Sequence, residues 1–299
     1  MTDHRPPNVT VIGDLVEDVV VWTAGPTRRG TDNPTAVHRA RGGSGATVAI
    51  AAVTAGAAAR FIGRVGDDAT GRALEADLAR AGVDVRLQRG GRTGCVVVLV
   101  DVDGERTMFP DRAAAAELAA VDVVDLAGTD VVHLPLYGFL GSAAAPHLRA
   151  AVATVRAAGG RVTLDLAASS AVEQLGRATV AALLHELAPA VVFANVEEAA
   201  AADLAAIDPP PGGCFVIKAG ARPATLVHHG GRRQVVAPPP IAGVRDTTGA
   251  GDVFAGTFIA HWVSGAPPDV ACAAGHRAAA ATLGTAGAPS GAANRGGPP

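Results

Sequence analysis

Short runs of β-branched residues alternate with Ala-rich segments along most of this 299-residue chain, and that alternation restricts the fold more than any other feature. VTVIG is followed by a helix-compatible stretch from Gly45 to Ala55, ARFIGRV by Gly71 to Ala81, and DVVHL by Ala143 to Ala158. RVTLDL then precedes Val172 to Leu187, AVVFA precedes Val196 to Leu204, and CFVIKAG ends the series. Strand and helix in turn, at this spacing, predict an α/β fold with a mostly parallel central sheet flanked by helices. Such a sheet gathers its ligands at the carboxyl ends of its strands.

Two regions break the pattern. Residues 15–41 hold VEDVVVW and TAVHRA around the turn-rich GPTRRGTDNP, and in residues 92–110 the run CVVVLVDVDGERTMF reads as a hairpin turning at Asp103 and Gly104. They predict a small separate β-sheet, a lid, inserted into one domain covering residues 1–299. The open edges of such a sheet need cover, which makes a homodimer through the lid a candidate assembly. Residues 288–299 are rich in Pro, Gly and polar residues and are expected to form a flexible tail.

Composition excludes several classes of partner. With 49% hydrophobic residues the chain can build a large core, while a net charge of −3 gives no electrostatic case for nucleic acid or an anionic membrane. The N-terminal MTDHRPPNVT lacks a signal peptide's apolar core, and no run approaches the roughly 20 apolar residues of a membrane span. Cys95, Cys214 and Cys272 are odd in number, widely spaced and set among apolar neighbours, which suits reduced thiols in a cytoplasmic protein.

The stretch with most chemical content is VRDTTGAGDVFAGTF, Val244 to Phe258. Gly249, Ala250 and Gly251 let backbone N–H groups approach a ligand, and Val253, Phe254, Thr257 and Phe258 continue with helical periodicity. A helix N-terminus carries unpaired donors and a partial positive charge, so a phosphate group fits there. Asp252 in the first turn either caps the helix or, beside such donors, accepts a proton from a hydroxyl attacking a held phosphoryl group.

DTTGAGDVFAGTF closely resembles the C-terminal signature of the ribokinase-like (PfkB) family of sugar and nucleoside kinases. RARGGSGATVAIAAVTAGAAARFIGRVGDDATG resembles that family's N-terminal signature, with paired glycines, a small-residue helix and a GDDxxG run. GERTMFPDRAAAA, FANVEEA and VIKAGARPATLV fall in the family's order, so the resemblance extends from Val9 to about Gly287.

The resemblance implies an ATP- and Mg²⁺-dependent kinase acting on a primary hydroxyl of a small sugar or sugar derivative. Asp252 becomes the catalytic base, and Gly249, Ala250 and Gly251 the anion hole. Asp18 matches the acid that binds substrate hydroxyls, with Asp14 a second candidate at the same strand end, and Gly42 and Gly43 match the paired glycines whose amides reach the sugar. Asn195 and Glu198 fit the pattern that organises Mg²⁺ and its waters, a solvated helix start being the plainer alternative. Lys218, the only lysine of the chain, and Gly220 stand where the nucleotide segment begins, and Thr248 and His276 join the nucleotide side. Asp246 and Thr248, with the loop near Gly287, resemble a monovalent-cation site suited to K⁺.

This chain departs from the family in three places. Thr47 replaces an asparagine that usually touches substrate, RVTLDLAASS leaves Asp165 without a DPNxR-like run, and His276 stands where a small residue or Asn is usual. Arg112 follows the second lid strand, where sugar-acid kinases place an arginine able to read a carboxylate, while Tyr137 and Phe139 are positioned to stack a base. A nucleoside kinase, for pseudouridine or a purine nucleoside, therefore remains the alternative, with Trp22 and Phe109 as further stacking candidates. A non-catalytic sugar-binding regulator has no use for the intact DTTGAGD, and a dinucleotide-binding dehydrogenase would need GxGxxG where the chain reads GDLVED.

Overall fold

The computed structural model describes residues 5–23, 25–33, 35–102, 105–141, 143–240 and 248–283. β1 (Asn8–Ile12) leads into β2 (Val16–Thr23) and β3 (Thr35–Gly42), and α1 (Ser44–Thr54), β4 (Ala58–Val65), α2 (Ala69–Arg80) and β5 (Asp84–Arg89) follow. β6 (Cys95–Val100) and β7 (Arg106–Asp111) then precede α3 (Val123–Leu126), β8 (Val131–Pro135), α4 (Ala145–Ala157) and β9 (Arg161–Asp165). The alternation continues as α5 (Ser169–Leu175), α6 (Arg177–Leu187), β10 (Val191–Asn195), α7 (Val196–Ala201) and β11 (Cys214–Ala219). β12 (Arg222–His228), β13 (Arg233–Val236), α8 (Ala250–Val263) and α9 (Pro268–Leu283) end the series.

Among the described residues nine strands form one sheet in the order β13-β12-β11-β10-β9-β8-β1-β4-β5, and four form a second in the order β3-β2-β6-β7. Every pairing from β11 across to β5 is parallel, and β12 and β13 are attached antiparallel at the edge. The fold class is the α/β class expected, with the smaller sheet formed by the two interrupting regions. β1 pairs with β8 on one side and β4 on the other, so the chain winds away from it in both directions. That reversal opens a crevice at the strand carboxyl ends.

Three local features were not foreseen. The helical pattern from Val172 to Leu187 is split into α5 and α6 by Gly176, whose φ of 82° only glycine adopts easily. The segment after Lys218 forms the hairpin β12–β13, where Ala224 and Leu226 face the core between exposed arginines. In the lid, β6 and β7 pair antiparallel from Cys95↔Asp111 to Val100↔Arg106 as expected, but β2 also runs parallel to β6. The turn expected at Asp103 and Gly104 lies outside the described residues.

Two apolar clusters lie on opposite faces of the large sheet. One joins α1, α8 and α9 to Val9, Val11, Phe193 and Val216, and the other joins α4, α5 and α6 to Val132, Leu134, Leu164 and Val192. The first face sets the site, because α8 lies so close to α1 that a Cβ on Gly256 would collide with the Val48 carbonyl and lie 2.7 Å from the Ala51 Cβ. No helix among the described residues is long and apolar enough to cross a membrane. Gly256→Val should push these helices apart and lower the melting temperature by several degrees, since overpacking costs about 1–3 kcal/mol. A thermal melt of the purified variant checks this.

Candidate active site

The carboxyl ends of five parallel strands and the N-termini of three helices, α1, α7 and α8, converge on one group of side chains. Asp252 lies in the first turn of α8, whose N-terminus begins at Gly249 with φ 69° and has no side-chain cap. Among the described residues no side chain caps these N–H groups, and an anion is a fitting partner for them. Ser44, the first residue of α1, donates its hydroxyl to Asp252 Oδ1 at 2.6 Å across a separation of 208 residues. Neither glycine signature flagged Ser44, because a serine at a helix start reads as a cap. Here Gly43 occupies the N-cap with φ 101° and the serine side chain is turned to the acid instead.

The paired glycines are required by what packs on them. A Cβ on Gly42 would collide with the Asp18 carboxylate, and one on Gly43 would collide with the Asp14 carbonyl. Thr47, one turn into α1, donates to the Gly43 carbonyl at 3.3 Å, and its methyl lies 3.5 Å from where a Gly249 side chain would start. Asp18, Thr47 and the Gly249 turn thus share one wall.

On the other side stand Asp165 at the end of β9, Asn195 at the end of β10 and Lys218 on β11. Lys218 Nζ donates to Asp165 Oδ2 at 3.0 Å and sits 3.4 Å from where a Gly251 Cβ would be, beside the α8 N-terminus. The register of β11 against β12 shifts between Ile217 and Ala219, an irregularity of the kind that re-aims a side chain. Asp165 Oδ1 accepts from the Ala167 N–H at 2.9 Å, and Ala167 has φ 64°, a left-handed conformation that costs a non-glycine residue energy. Gly220, with φ 61°, makes the turn after Lys218.

Asn195 and Glu198 form a reciprocal capping box on α7: Glu198 Oε2 and Oε1 accept from the Asn195 backbone and side-chain amides, each at 2.8 Å, and Asn195 Oδ1 accepts from the Glu198 N–H at 2.7 Å. Glu198 is buried, so it is not a solvated helix start. Among the described residues no group of three or more His, Cys, Asp or Glu side chains is assembled to hold a metal alone. An all-oxygen set with Glu198 and Asp165 close together still fits a hard cation that retains water.

The electrostatics follow from burial. Burial pushes the Asp252 carboxyl up to about 6, Asp165 and Asp18 add to the rise, and the Ser44 hydroxyl and Lys218 oppose it. Burial raises Asp18 to about 6 against Arg41, and raises Glu198 to about 7 with help from Asp165. Burial alone would lower Lys218, but the carboxylates of Asp165, Glu198 and Asp252 outweigh it and hold the ammonium above its ordinary value. Acids held at these values beside a fixed cation are the usual mark of a reaction site.

The remaining predicted residues separate. Tyr137 follows β8, and burial, with the carboxylates of Asp252, Glu198, Asp165 and Asp14, pushes its phenol up to about 12, which ties it to the site. Phe139, two residues on, is buried in the opposite core with the Arg149 guanidinium 5.8 Å above its ring, so its face is not offered to a ligand. Trp22 and Phe109 are exposed on the lid. His276 is buried on α9, edge-on to Phe254 at 5.1 Å. Arg112 is held by Asp14 through two hydrogen bonds of 2.6 and 2.8 Å. Thr248 adjoins Gly249, whereas Asp246 and Gly287 lie outside the described residues, as does the 288–299 tail.

A helix N-terminus, a lysine and an acid side by side suit phosphoryl transfer, and the family match agrees. The chain matches the pfkB family carbohydrate kinase over residues 6–294 and belongs to that family. It is 33% identical over 258 residues, 83% of this chain and 81% of the other, to an ATP-dependent ribose-1-phosphate kinase of Halopiger xanaduensis. It is also 33% identical over 162 residues to a fructokinase of Klebsiella pneumoniae, a match spanning 52% of this chain and only 50% of the fructokinase. In structure it is similar to an adenosine kinase of Sinorhizobium meliloti, with TM-score 0.82 and 22% identity over 94% of both chains.

If Asp252 must be ionised to act, kcat/KM should fall about tenfold per pH unit below its value of about 6 and level off above about 7, where Glu198 also ionises. Ser44→Ala removes a donor that favours the charged carboxylate. It should move this acid limb to higher pH and lower kcat by roughly tenfold, as pH–rate profiles of the two proteins will show.

Proposed function

We propose that this kinase transfers the γ-phosphoryl group of ATP to a primary hydroxyl of a small sugar or sugar derivative, with Asp252 as general base. The observation that carries this reading is the half-buried Asp252 carboxylate, held near 6 at the N-terminus of α8 with Lys218 alongside. One carboxylate oxygen is engaged by Ser44, which leaves the other for the acceptor hydroxyl.

Asp18 receives the acceptor's other hydroxyls, and the amides around Gly42 and Gly43 approach its ring closely. As the acceptor proton passes to Asp252, the amides of Gly249, Ala250 and Gly251 and the Lys218 ammonium hold the charge gathered on the transferring phosphoryl oxygens. Asn195, Glu198 and Asp165 are the residues that would organise Mg²⁺, which when bound would neutralise nucleotide phosphate charge. The lid covers the acceptor and keeps water from competing as acceptor.

A nucleoside is the second reading, favoured by one observation: Tyr137, an aromatic residue just past β8, is partly buried and feels the carboxylates of Asp252, Glu198, Asp165 and Asp14. The relatives named ribose-1-phosphate kinase and adenosine kinase bracket these two acceptor classes. A cytoplasmic homodimer joined through the lid suits the exposed Val37, Met108 and Phe109 side chains.

Asp252→Asn should leave the fold intact and lower kcat by roughly 10²- to 10⁴-fold, the span of general-base catalysis; turnover at a third of the parent rate would remove Asp252 from the role. Glu198→Gln should raise the Mg²⁺ concentration needed for half-maximal rate, measured as ADP release across a metal titration.

A further inference from the structure

We propose that the acceptor compartment selects an uncharged acceptor over its phosphorylated or acidic counterpart, and that Asp14 is the residue that sets this preference by occupying Arg112. The inference rests on the kinase reading above and narrows it.

Asp14 lies two residues past β1, and its carbonyl packs directly on Gly43, so it belongs to the wall that faces the acceptor. Arg112 lies immediately past β7, at the other stem of the lid. Its Nε and Nη2 donate to Asp14 Oδ2 and Oδ1, and the two side chains are only 19% and 13% exposed. The fork that matches a carboxylate or phosphate is therefore already filled by a carboxylate of the chain itself.

The other arginines around the compartment are likewise engaged. Arg41 donates through Nε to Asp77 at 3.0 Å and through Nη1 to Thr47 Oγ1 at 3.5 Å, and its charge is already offset by Asp77 and the nearby Asp18. Arg39 donates to Glu17 at 3.0 Å and Arg92 to Asp111. Asp18, by contrast, receives no hydrogen bond from any described residue, although its carboxylate faces Gly42. Among the described residues this end of the site offers an unengaged acceptor of hydrogen bonds and no unengaged arginine. Hydroxyl donors complement such a surface. An anionic substituent would have to displace Asp14 from Arg112 and leave two negative groups together in a largely buried space.

The test is a comparison of kcat/KM, read as ADP release with MgATP, for matched acceptors that differ in charge: ribose against ribose 1-phosphate, and fructose against fructose 6-phosphate, with adenosine as a further neutral acceptor. The neutral partner of the best pair should exceed its anionic counterpart by about 100-fold or more. Asp14→Asn keeps the shape and frees Arg112, and should narrow that ratio by at least about tenfold; Asp14→Ser serves if the first variant does not fold. Arg112→Gln should not improve the anionic acceptor. A native preference for the anionic partner, or an unchanged ratio in both Asp14 variants, overturns the proposal and leaves the kinase reading standing. Absence of any acceptor-dependent ADP release, with adenosine included, overturns both.

Discussion

The close approach of α1 and α8 is the constraint on which the site depends. Gly256 presents no side chain where the Val48 carbonyl and the Ala51 methyl press against α8, so the two helices settle nearly backbone to backbone. Their N-termini then meet, and a serine near the start of the chain reaches an acid near its end. The aromatic side chains beneath fix the second coordinate. Phe193 on β10 meets Phe258 and Phe254 on α8 edge-on at 5.2 and 6.4 Å, which seats α8 over the strand that carries Asn195. A sheet position and a helix position are thereby locked to each other by apolar contact, and the polar chemistry occupies the rim of that contact.

The N-terminal signature acquires a second purpose in the structure. Asp68 accepts from the Thr93 N–H at 2.8 Å and hydroxyl at 2.6 Å, as well as from the Gly71 N–H at 2.7 Å, while the Gly66 N–H donates to the same Thr93 hydroxyl at 3.0 Å. Thr93 is buried just before lid strand β6. The GDDxxG run is thus the clamp on one lid stem, and the Asp14–Arg112 pair bridges two others. The small sheet is thereby tied to the large one at defined points along its stems.

Much of the fold and the centre of the site were legible in the sequence because local patterns encode them. Alternating apolar runs gave the parallel sheet, and the glycine-rich turn before an apolar run gave the start of α8, with Asp252 in its first turn. What escaped depends on contacts distant in sequence or on a single dihedral angle. Ser44 and Asp252 are 208 positions apart and Asp14 and Arg112 are 98 apart, and no local pattern pairs them. Tyr137 and Phe139 looked equivalent, but in the 3₁₀ turn from Leu136 to Phe139 the second is buried in the core, while Tyr137 packs on the edge of that core and feels the site carboxylates. Glu198 read as either a solvated residue or a ligand, and only the fold shows that its capping box is buried.

The gathered acids set folding and function against each other along the pH axis. Burial lifts Asp252 and Asp18 from an ordinary value of 3.8 to about 6, and Glu198 from 4.5 to about 7. Between those limits the folded chain keeps protons that the unfolded chain has already released, so their contribution to stability declines as pH rises from about 4 to about 7 and is constant above that. In the proposed reaction, the ionisation that readies Asp252 is therefore the same ionisation that weighs on the fold. A bound cation, or hydroxyl groups donated by an acceptor, relieves that burden, so ligands should protect the fold against heat more strongly at neutral pH than in mild acid.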